Sequence, residues 1–330
     1  MRRICVILVS LIVSGLYAQT PQFSQFYANQ VYLNPAFTGN TDVHRLAFNY
    51  RNQWAGVPKA FNSFSLAYDY NMGYNLGIGM IAVHDQAGSG GLAYTSISPL
   101  VSYSYMIKEN LSVSAGISWG LAIRSTNANN YVFGDQFVTG GATTADIQQR
   151  KTFGDFKAGI LVYGSNYWGG LTGDHLNRPN ESLVFGQESR IPTQWTLHGG
   201  YRFDLEESEK GDPEKTLTAA FNYKFSGKFD QMDIGAYYQR KTLILGMWYR
   251  GMPLIKQNQD GTSNKDALVL LIGLKSEAMR VGYSYDITVS GLSITDTYGS
   301  HEISVVYEWP TRVRKKKKRK RNFIIPCPKF

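Results

Sequence analysis

Side chains that commonly carry out chemistry are few in this chain and lie far apart. None of its five histidines has the spacing of a helical metal-binding pair. They are His44, His84, His175, His198 and His301. Asp85, Asp135 and Asp174 fall in segments predicted to be surface loops, where carboxylates are common without any function. We therefore predict no catalytic residue, no cofactor and no metal site, and we do not expect an enzyme.

The strongest local charge signal is a basic run near the C-terminus. It could bind anionic lipid headgroups, an acidic protein partner or anionic cell-wall material. Nucleic acid is not expected, because the N-terminus described below predicts export from the cytoplasm. Apolar and proline residues follow the run, which favours a docking peptide over a purely electrostatic tail. The candidate partner-binding residues are Arg312, Arg314, Lys315, Lys316, Lys317, Lys318, Arg319, Lys320, Arg321, Phe323, Cys327 and Phe330.

A second candidate for partner binding lies near the other end of the chain. The segment from Gln22 to Asn40 is rich in aromatic and amide side chains and contains no charged residue. Asn34-Pro35 and Gly39-Asn40 are turn signals. We expect this segment to pack as a plug in the mouth or along the inner wall of a barrel, or to dock a partner. The candidate residues are Phe26, Tyr27, Asn34, Pro35 and Phe37.

The first residues indicate an exported protein. Arg2 and Arg3 precede an apolar run from Ile4 to Leu16, and Ala18 offers a small residue at a cleavage point, so residues 1–18 are predicted to be a signal peptide. The alternative, an uncleaved anchor, is disfavoured because the run is shorter than the roughly 20 residues that span a bilayer. Removing the signal peptide leaves Cys327 alone, which excludes an intramolecular disulfide.

The composition of the remaining chain favours a membrane β-barrel. Aromatic residues make up 14% of the sequence and charged residues 18%, fewer charges than in a typical soluble protein. No apolar stretch after the signal peptide approaches the length of a transmembrane helix. The strands of a barrel need only be apolar on one face, so this composition suits them. The formal net charge of +9 arises from the basic tail, and the body is slightly acidic.

Two-residue alternation is the dominant pattern, and it is clearest from Leu111 to Ser125. The apolar set is Leu111, Val113, Ala115, Ile117, Trp119, Leu121 and Ile123. The other set is Ser112, Ser114, Gly116, Ser118, Gly120, Ala122 and Arg124. A strand places the two sets on opposite faces, whereas a helix would mix them around its circumference. An apolar outside and an interior of small residues are typical of a membrane barrel.

The same alternation predicts about fourteen strands, an even number, as bacterial single-chain barrels have. They cover 44–51, 61–70, 74–84, 93–106, 111–125, 151–164, 166–173, 194–204, 215–225, 230–240, 242–250, 267–276, 278–288 and 301–309. The connections alternate between long and short, as outer loops and periplasmic turns do, although 205–214 is long for a turn and 226–229 is short for a loop. A soluble sandwich has no reason to alternate in this way.

The sequence thus predicts four parts in an integral outer-membrane protein. A signal peptide at 1–18 is followed by a plug-like periplasmic segment at 19–43, a barrel at 44–309 and a basic periplasmic tail at 310–330. With an even number of strands, both ends of the barrel lie on the same, periplasmic, side.

Several motifs resemble those of the PorP/SprF family of outer-membrane proteins of Bacteroidetes. These are Gln25-Phe26-Tyr27, Asn34-Pro35-Ala36-Phe37-Thr38-Gly39, Tyr50-Arg51-Asn52-Gln53-Trp54, Ser63-Phe64-Ser65-Leu66-Ala67-Tyr68-Asp69 and Cys327-Pro328-Lys329-Phe330. The resemblance implies a role in type IX secretion and, in some members, gliding motility. It implies partners among the outer-membrane and periplasmic secretion proteins, and cargo such as adhesins or proteins with a sorting domain. It supplies no catalytic residues.

Two other functions compete with this interpretation. A passive porin would need an open lumen with charges around a constriction. The predicted lumen face is instead rich in Gly, Ser and Tyr with few charges, which indicates a plugged barrel. A barrel enzyme would need a Ser/His/acid set or a carboxylate pair at one rim, and we cannot assemble either from the sequence.

Overall fold

The computed structural model describes residues 21–41, 43–58, 60–88, 91–127, 131, 136–137, 140–141, 143, 147–206, 214–226, 229–252, 265–289 and 294–310. The predicted signal peptide and the basic tail from residue 311 onward lie outside these residues, as does Asp135. Among the described residues, no helix is both long enough and apolar enough to cross a membrane.

The described residues form a closed barrel of fourteen antiparallel strands, which confirms the predicted fold class. Each strand pairs with its neighbours in sequence, and β1 pairs with β14 to close the ring. The strands are β1 Val43–Gln53, β2 Phe61–Gly73, β3 Leu76–Ala87, β4 Leu92–Lys108, β5 Leu111–Ser125, β6 Arg150–Tyr163, β7 Tyr167–Asp174, β8 Gln194–Glu206, β9 Lys215–Ser226, β10 Phe229–Arg240, β11 Leu243–Gly251, β12 Lys265–Lys275, β13 Met279–Thr288 and β14 Ser300–Pro310.

Outside the strands, the described part of the chain contains three short helical elements with defined bounds, in addition to the two helical residues 136–137. Helix α1 covers Gln30–Leu33, and a single 3-10 turn covers Pro35–Phe37. Helix α2 covers Ile294–Thr297 in the connection before β14. The first two belong to the segment that precedes β1, and they lie inside the barrel.

The strands turn an apolar face outward, as the alternation predicts. In β5, Ile117, Trp119 and Leu121 are more than half exposed, while Ser114 and Ala122 are fully buried. This exposed apolar band suits a bilayer, in which outward residues meet lipid instead of water. Aromatic rings of His44, Tyr68 and Trp309 stack on one another near one rim, the position of an interfacial aromatic girdle.

The two rims of the barrel differ in their connections. At the turn rim, where β1 begins and β14 ends, most hairpins are tight; Tyr74 and Asn75 have φ angles of 55° and 65°, as a two-residue I′ turn requires. At the opposite end, the loop rim, the connections include 126–149 and 175–193. The two predicted exceptions remain, because 207–214 joins strands at the turn rim and 227–228 joins them at the loop rim.

Two acidic residues expected in loops belong to strands instead. Asp85 lies within β3, where its carboxylate accepts a hydrogen bond from Ser63 on β2. Asp174 is the last residue of β7 and forms an ion pair of 2.7 Å with Lys157 on β6. The sequence does not distinguish the two cases, because a polar strand residue that faces a polar interior looks the same as a polar residue in a loop.

Candidate functional site in the barrel lumen

Residues 21–41, which we call the lumen plug, fill the interior of the barrel. Nearly every residue of this segment is buried, although it contains no strand of its own. Its beginning lies in the half near the loop rim, where the Gln22 amide donates to Gln231 in β10. Its end lies near the turn rim, where the Asn71 amide donates to the Gly39 carbonyl at 3.0 Å. The plug therefore crosses much of the lumen before the chain enters β1.

The second half of the plug lies against glycines in the barrel wall. Gly116 in β5 and Gly159 in β6 are register partners, so their missing side chains leave one continuous depression. A Cβ atom on Gly116 would lie 2.4 Å from backbone atoms of Pro35 and Ala36. A Cβ on Gly159 would lie 2.1 Å from the Asn34 side chain. Gly116 is needed because the plug backbone approaches it closely, and Gly159 because the Asn34 side chain does.

Hydrogen bonds fix the Asn34–Gly39 block in this depression. The Asn34 side-chain oxygen accepts from the Ala36 backbone N–H at 2.9 Å and so caps the 3-10 turn that begins at Pro35. Its amide nitrogen donates to the Ile160 carbonyl at 3.1 Å. The Ser114 hydroxyl donates to the Ala36 carbonyl at 2.8 Å. The asparagine thus organises the turn and also attaches it to β6.

An ion pair holds the plug near the turn rim. Arg45 on β1 donates to both oxygens of Asp69 on β2, each at 2.9 Å. The same guanidinium donates to the Gln30 side chain and to the Phe37 carbonyl, and the Gly39 N–H donates to Asp69 at 2.8 Å. One buried pair thereby binds the plug at three positions.

A larger charged group surrounds Ser24 in the half near the loop rim. We call it the Ser24 cluster. The Ser24 hydroxyl donates to Asp286 at 2.6 Å, and the Arg250 guanidinium donates to it at 2.9 Å. Arg51 pairs with Asp286 at 2.8 Å, and Arg250 pairs with Asp233 at 2.8 Å. The cluster consists of Ser24 with Arg51, Asp233, Arg250, Asp286 and Glu302, all buried.

Glu302 attaches the plug backbone to β14. Its two carboxylate oxygens accept from the backbone N–H groups of Ser24, at 2.6 Å, and Gln25, at 3.1 Å. The Gln25 side chain donates to the Glu302 carbonyl at 2.9 Å and accepts from the Ser304 hydroxyl at 2.6 Å. These bonds satisfy backbone groups that would otherwise be buried without partners.

Aromatic residues complete the packing of the plug. The Phe26 ring meets Trp248 edge to face at 5.0 Å between centroids, and Tyr27 meets Tyr237 in the same way at 4.6 Å. Phe37 is fully buried and lies 5.5 Å from the His198 ring. The five plug residues singled out from the sequence, Phe26, Tyr27, Asn34, Pro35 and Phe37, are therefore all buried inside the lumen.

The expectation of a lumen with few charges is wrong. The interior contains Arg45, Asp69, Lys157 and the Ser24 cluster, and it holds them in ion pairs. In sequence, each of these charges is indistinguishable from a solvated residue. Its signal was its place on the small-residue face of the strand. Arg45–Asp69, Lys157–Asp174 and Asp233–Arg250 join neighbouring strands. Arg51 and Arg250 also reach Asp286 from two strands away, which spacing in the sequence does not reveal.

Other chemistry-bearing residues occupy separate positions. His198 is buried in the lumen near Asn34, and the His175 ring pairs with Asp155 at 2.9 Å. His44 and Tyr68 share a hydrogen bond of 2.8 Å in the aromatic girdle near the turn rim. Across the described part of the chain, no three His, Cys, Asp or Glu side chains are grouped so that they could hold a metal ion. The predicted tail site, from Arg312 to Phe330, lies outside the described residues.

A closed barrel with an apolar outer band and a polar interior defines an integral β-barrel of the outer membrane. The particular family follows from comparison with known proteins. The family model described as "Type IX secretion system membrane protein PorP/SprF" matches residues 15–307, and the chain belongs to that family. Its family and fold are those of a membrane barrel for secretion. No curated protein matches the sequence.

Solved structures with a similar fold are outer-membrane barrels. A FadL homologue from Pseudomonas aeruginosa has 12% identity and a TM-score of 0.47, with 85% of this chain and 94% of that chain covered. The toluene transporter TodX of Pseudomonas putida has 9% identity and a TM-score of 0.49, with 84% and 93% covered. Omp33 of Acinetobacter baumannii has 7% identity and a TM-score of 0.44, with 82% and 100% covered.

Proposed function

We propose that this barrel is a plugged anchor of the type IX secretion machinery that helps to export, or to attach at the surface, adhesins or cargo with a sorting domain. The observation that supports this is the lumen plug, held by the Ser24 cluster and by the Arg45–Asp69 pair. A lumen filled in this way does not suit free diffusion of solutes. The barrel then fixes the position of the protein in the membrane, and its rims contact the secretion proteins or the cargo.

We place the turn rim in the periplasm, because outer-membrane barrels have short periplasmic turns and longer outer loops. Both β1 and β14 meet this rim, which supports the proposal that the basic tail is periplasmic. The start of the plug lies instead in the outer half of the lumen, near Gln231. The plug is then inside the barrel, and the basic tail is the terminal segment available to periplasmic partners.

Conductance tests the plugged state. The intact protein in a planar bilayer should give little steady current, because the plug occupies the lumen. Deleting residues 22–40 should raise the current, since a fourteen-stranded barrel without its plug encloses a water-filled space. The Lys241→Gln variant, changed at an exposed position in a turn, should conduct as the intact protein does. Large steady conductance of the intact protein would instead support a passive porin.

Truncation tests partner docking by the tail. Removing Arg312 to Phe330 should leave the barrel folded, because β14 ends at Pro310, but co-purification of secretion proteins from solubilised outer membrane should fall several-fold. Heat-modifiable gel migration reports folding. A second variant with Phe323 and Phe330 changed to Ser keeps the basic run and separates apolar docking from charge. Should the truncated protein retain every partner, the tail is not a docking site.

A further inference from the structure

A cavity of about 100 Å³ lies between the lumen plug and the wall formed by β3 to β9. Its wall residues lie from the middle of the strands toward the loop rim, and His175 adjoins the end of β7. The rest of the lining comes from the plug and includes Phe23 and Tyr32. None of the residues that line the cavity belongs to the Ser24 cluster, whose wall residues lie on β1, β10, β11, β13 and β14.

One side of the cavity is apolar. Ile81 and Val83 on β3 and Leu100 on β4 line it, and each is buried. The Phe23 ring of the plug also lines the cavity. An uncharged hydrocarbon or aromatic group would be removed from water here, which is the main favourable term in binding to such a surface.

The opposite side is charged, and most of its charges are already paired. Lys157 forms an ion pair of 2.7 Å with Asp174, and the His175 ring pairs with Asp155 at 2.9 Å. Lys224 on β9 lines the same cavity without such a pair. Among the described residues, no carboxylate lies within ion-pairing distance of its ammonium group, and its register partners are the neutral Thr196 and Gln231.

We propose that this cavity binds a small amphipathic monocarboxylate, with its carboxylate at Lys224 and its hydrocarbon or aromatic body against Ile81, Val83 and Leu100. A single unpaired cation selects a monoanion, because a second negative charge would meet Asp155 and Asp174. A cationic ligand would be repelled by Lys157 and Lys224, which both line the cavity. A neutral one would leave the ammonium group without a carboxylate in direct contact. This inference does not depend on the role in secretion.

Binding of short-chain probes to the full-length protein in zwitterionic lipid nanodiscs tests the proposal. Hexanoate and hexan-1-ol share an apolar body, so their comparison isolates the carboxylate; empty nanodiscs correct for partition into lipid. Calorimetry or saturation-transfer NMR should show saturable binding of hexanoate at least about tenfold tighter than that of hexan-1-ol, the effect of one charge-assisted hydrogen bond.

The Lys224→Gln variant should lose that tenfold preference, while Lys224→Arg should retain it. Lys241→Gln, changed at an exposed turn lysine, is the matched control and should bind as the unmodified protein does. Ser118→Phe places a ring in the cavity and should weaken the binding of both probes. Heat-modifiable migration checks that each variant is folded.

Three outcomes would overturn the proposal. Hexanoate could show no saturable binding, it could bind no better than hexan-1-ol, or its affinity could be unchanged in Lys224→Gln. The first two are measured on the unmodified protein, so they decide the question even if a variant fails to fold.

Discussion

Replacing Gly116 by valine should release the Asn34–Gly39 block from the wall while β5 remains in the barrel. Valine suits a strand, so the sheet itself has no reason to lose pairing. Its Cβ, however, would lie 2.4 Å from the backbone of Pro35 and Ala36, and a backbone cannot move aside as a flexible side chain can. Overpacking alone costs about 1–3 kcal/mol. Displacing the block also breaks the bond from Ser114 to the Ala36 carbonyl.

The matched control is Gly169→Val. Gly169 lies on β7, where the nearest non-neighbouring atom to an added Cβ is the His198 carbonyl oxygen at 3.9 Å, so the larger side chain meets no plug atom. Both variants should migrate as folded barrels. In a Cys327→Ser background, a cysteine introduced at Ala36 should react with a water-soluble thiol reagent when Gly116→Val is present and stay protected in the control. Equal protection in both backgrounds would show that the plug does not depend on the depression at Gly116.

The barrel could be predicted from sequence because its signal is local. A period of two residues repeats in every strand, and the side chains that carry it, such as Ile117 and Trp119, need no knowledge of their partners. Strand number and closure follow from counting those segments. The misplaced ends at Asp85 and Asp174 show the limit of that argument, since the period alone cannot tell a polar lumen from water.

The plug was predictable as a buried segment but not as a specific site. Its aromatic and uncharged composition indicates burial, and Asn34-Pro35 indicates a turn. Its contacts depend on glycines at least 80 residues from the plug residues they meet, such as Gly116 and Gly159, which in sequence resemble ordinary small residues of a lumen face. The Ser24 cluster is harder still, because it joins Arg51 to Asp286 through the order in which fourteen strands close.

Replacing Arg250 by methionine should destabilise the protein more than any exposed charge change. Arg250 bonds to Asp233, Asp286 and the Ser24 hydroxyl, and its side chain is almost wholly buried. The cluster contains two guanidinium groups and three carboxylates, so it has one carboxylate in excess. Removing one guanidinium raises that excess to two buried negative charges. Breaking a buried pair by removing one partner costs about 3–5 kcal/mol. Urea unfolding of the refolded barrel, followed by tryptophan fluorescence, measures the loss.

Restoring the charge count separates electrostatics from lost packing. Adding Asp233→Asn to Arg250→Met returns the cluster to one excess carboxylate, because Asp233 is the partner that Arg250 contacts most directly at 2.8 Å. The double variant should recover much of the lost stability. With Cys327 changed to Ser, it should again protect a cysteine placed at Gln22, while the single variant exposes it. If the double variant is as unstable as the single one, Arg250 acts through its shape and its bond to Ser24. The plug would then be held by hydrogen bonds alone, and not by the balance of charge in the lumen.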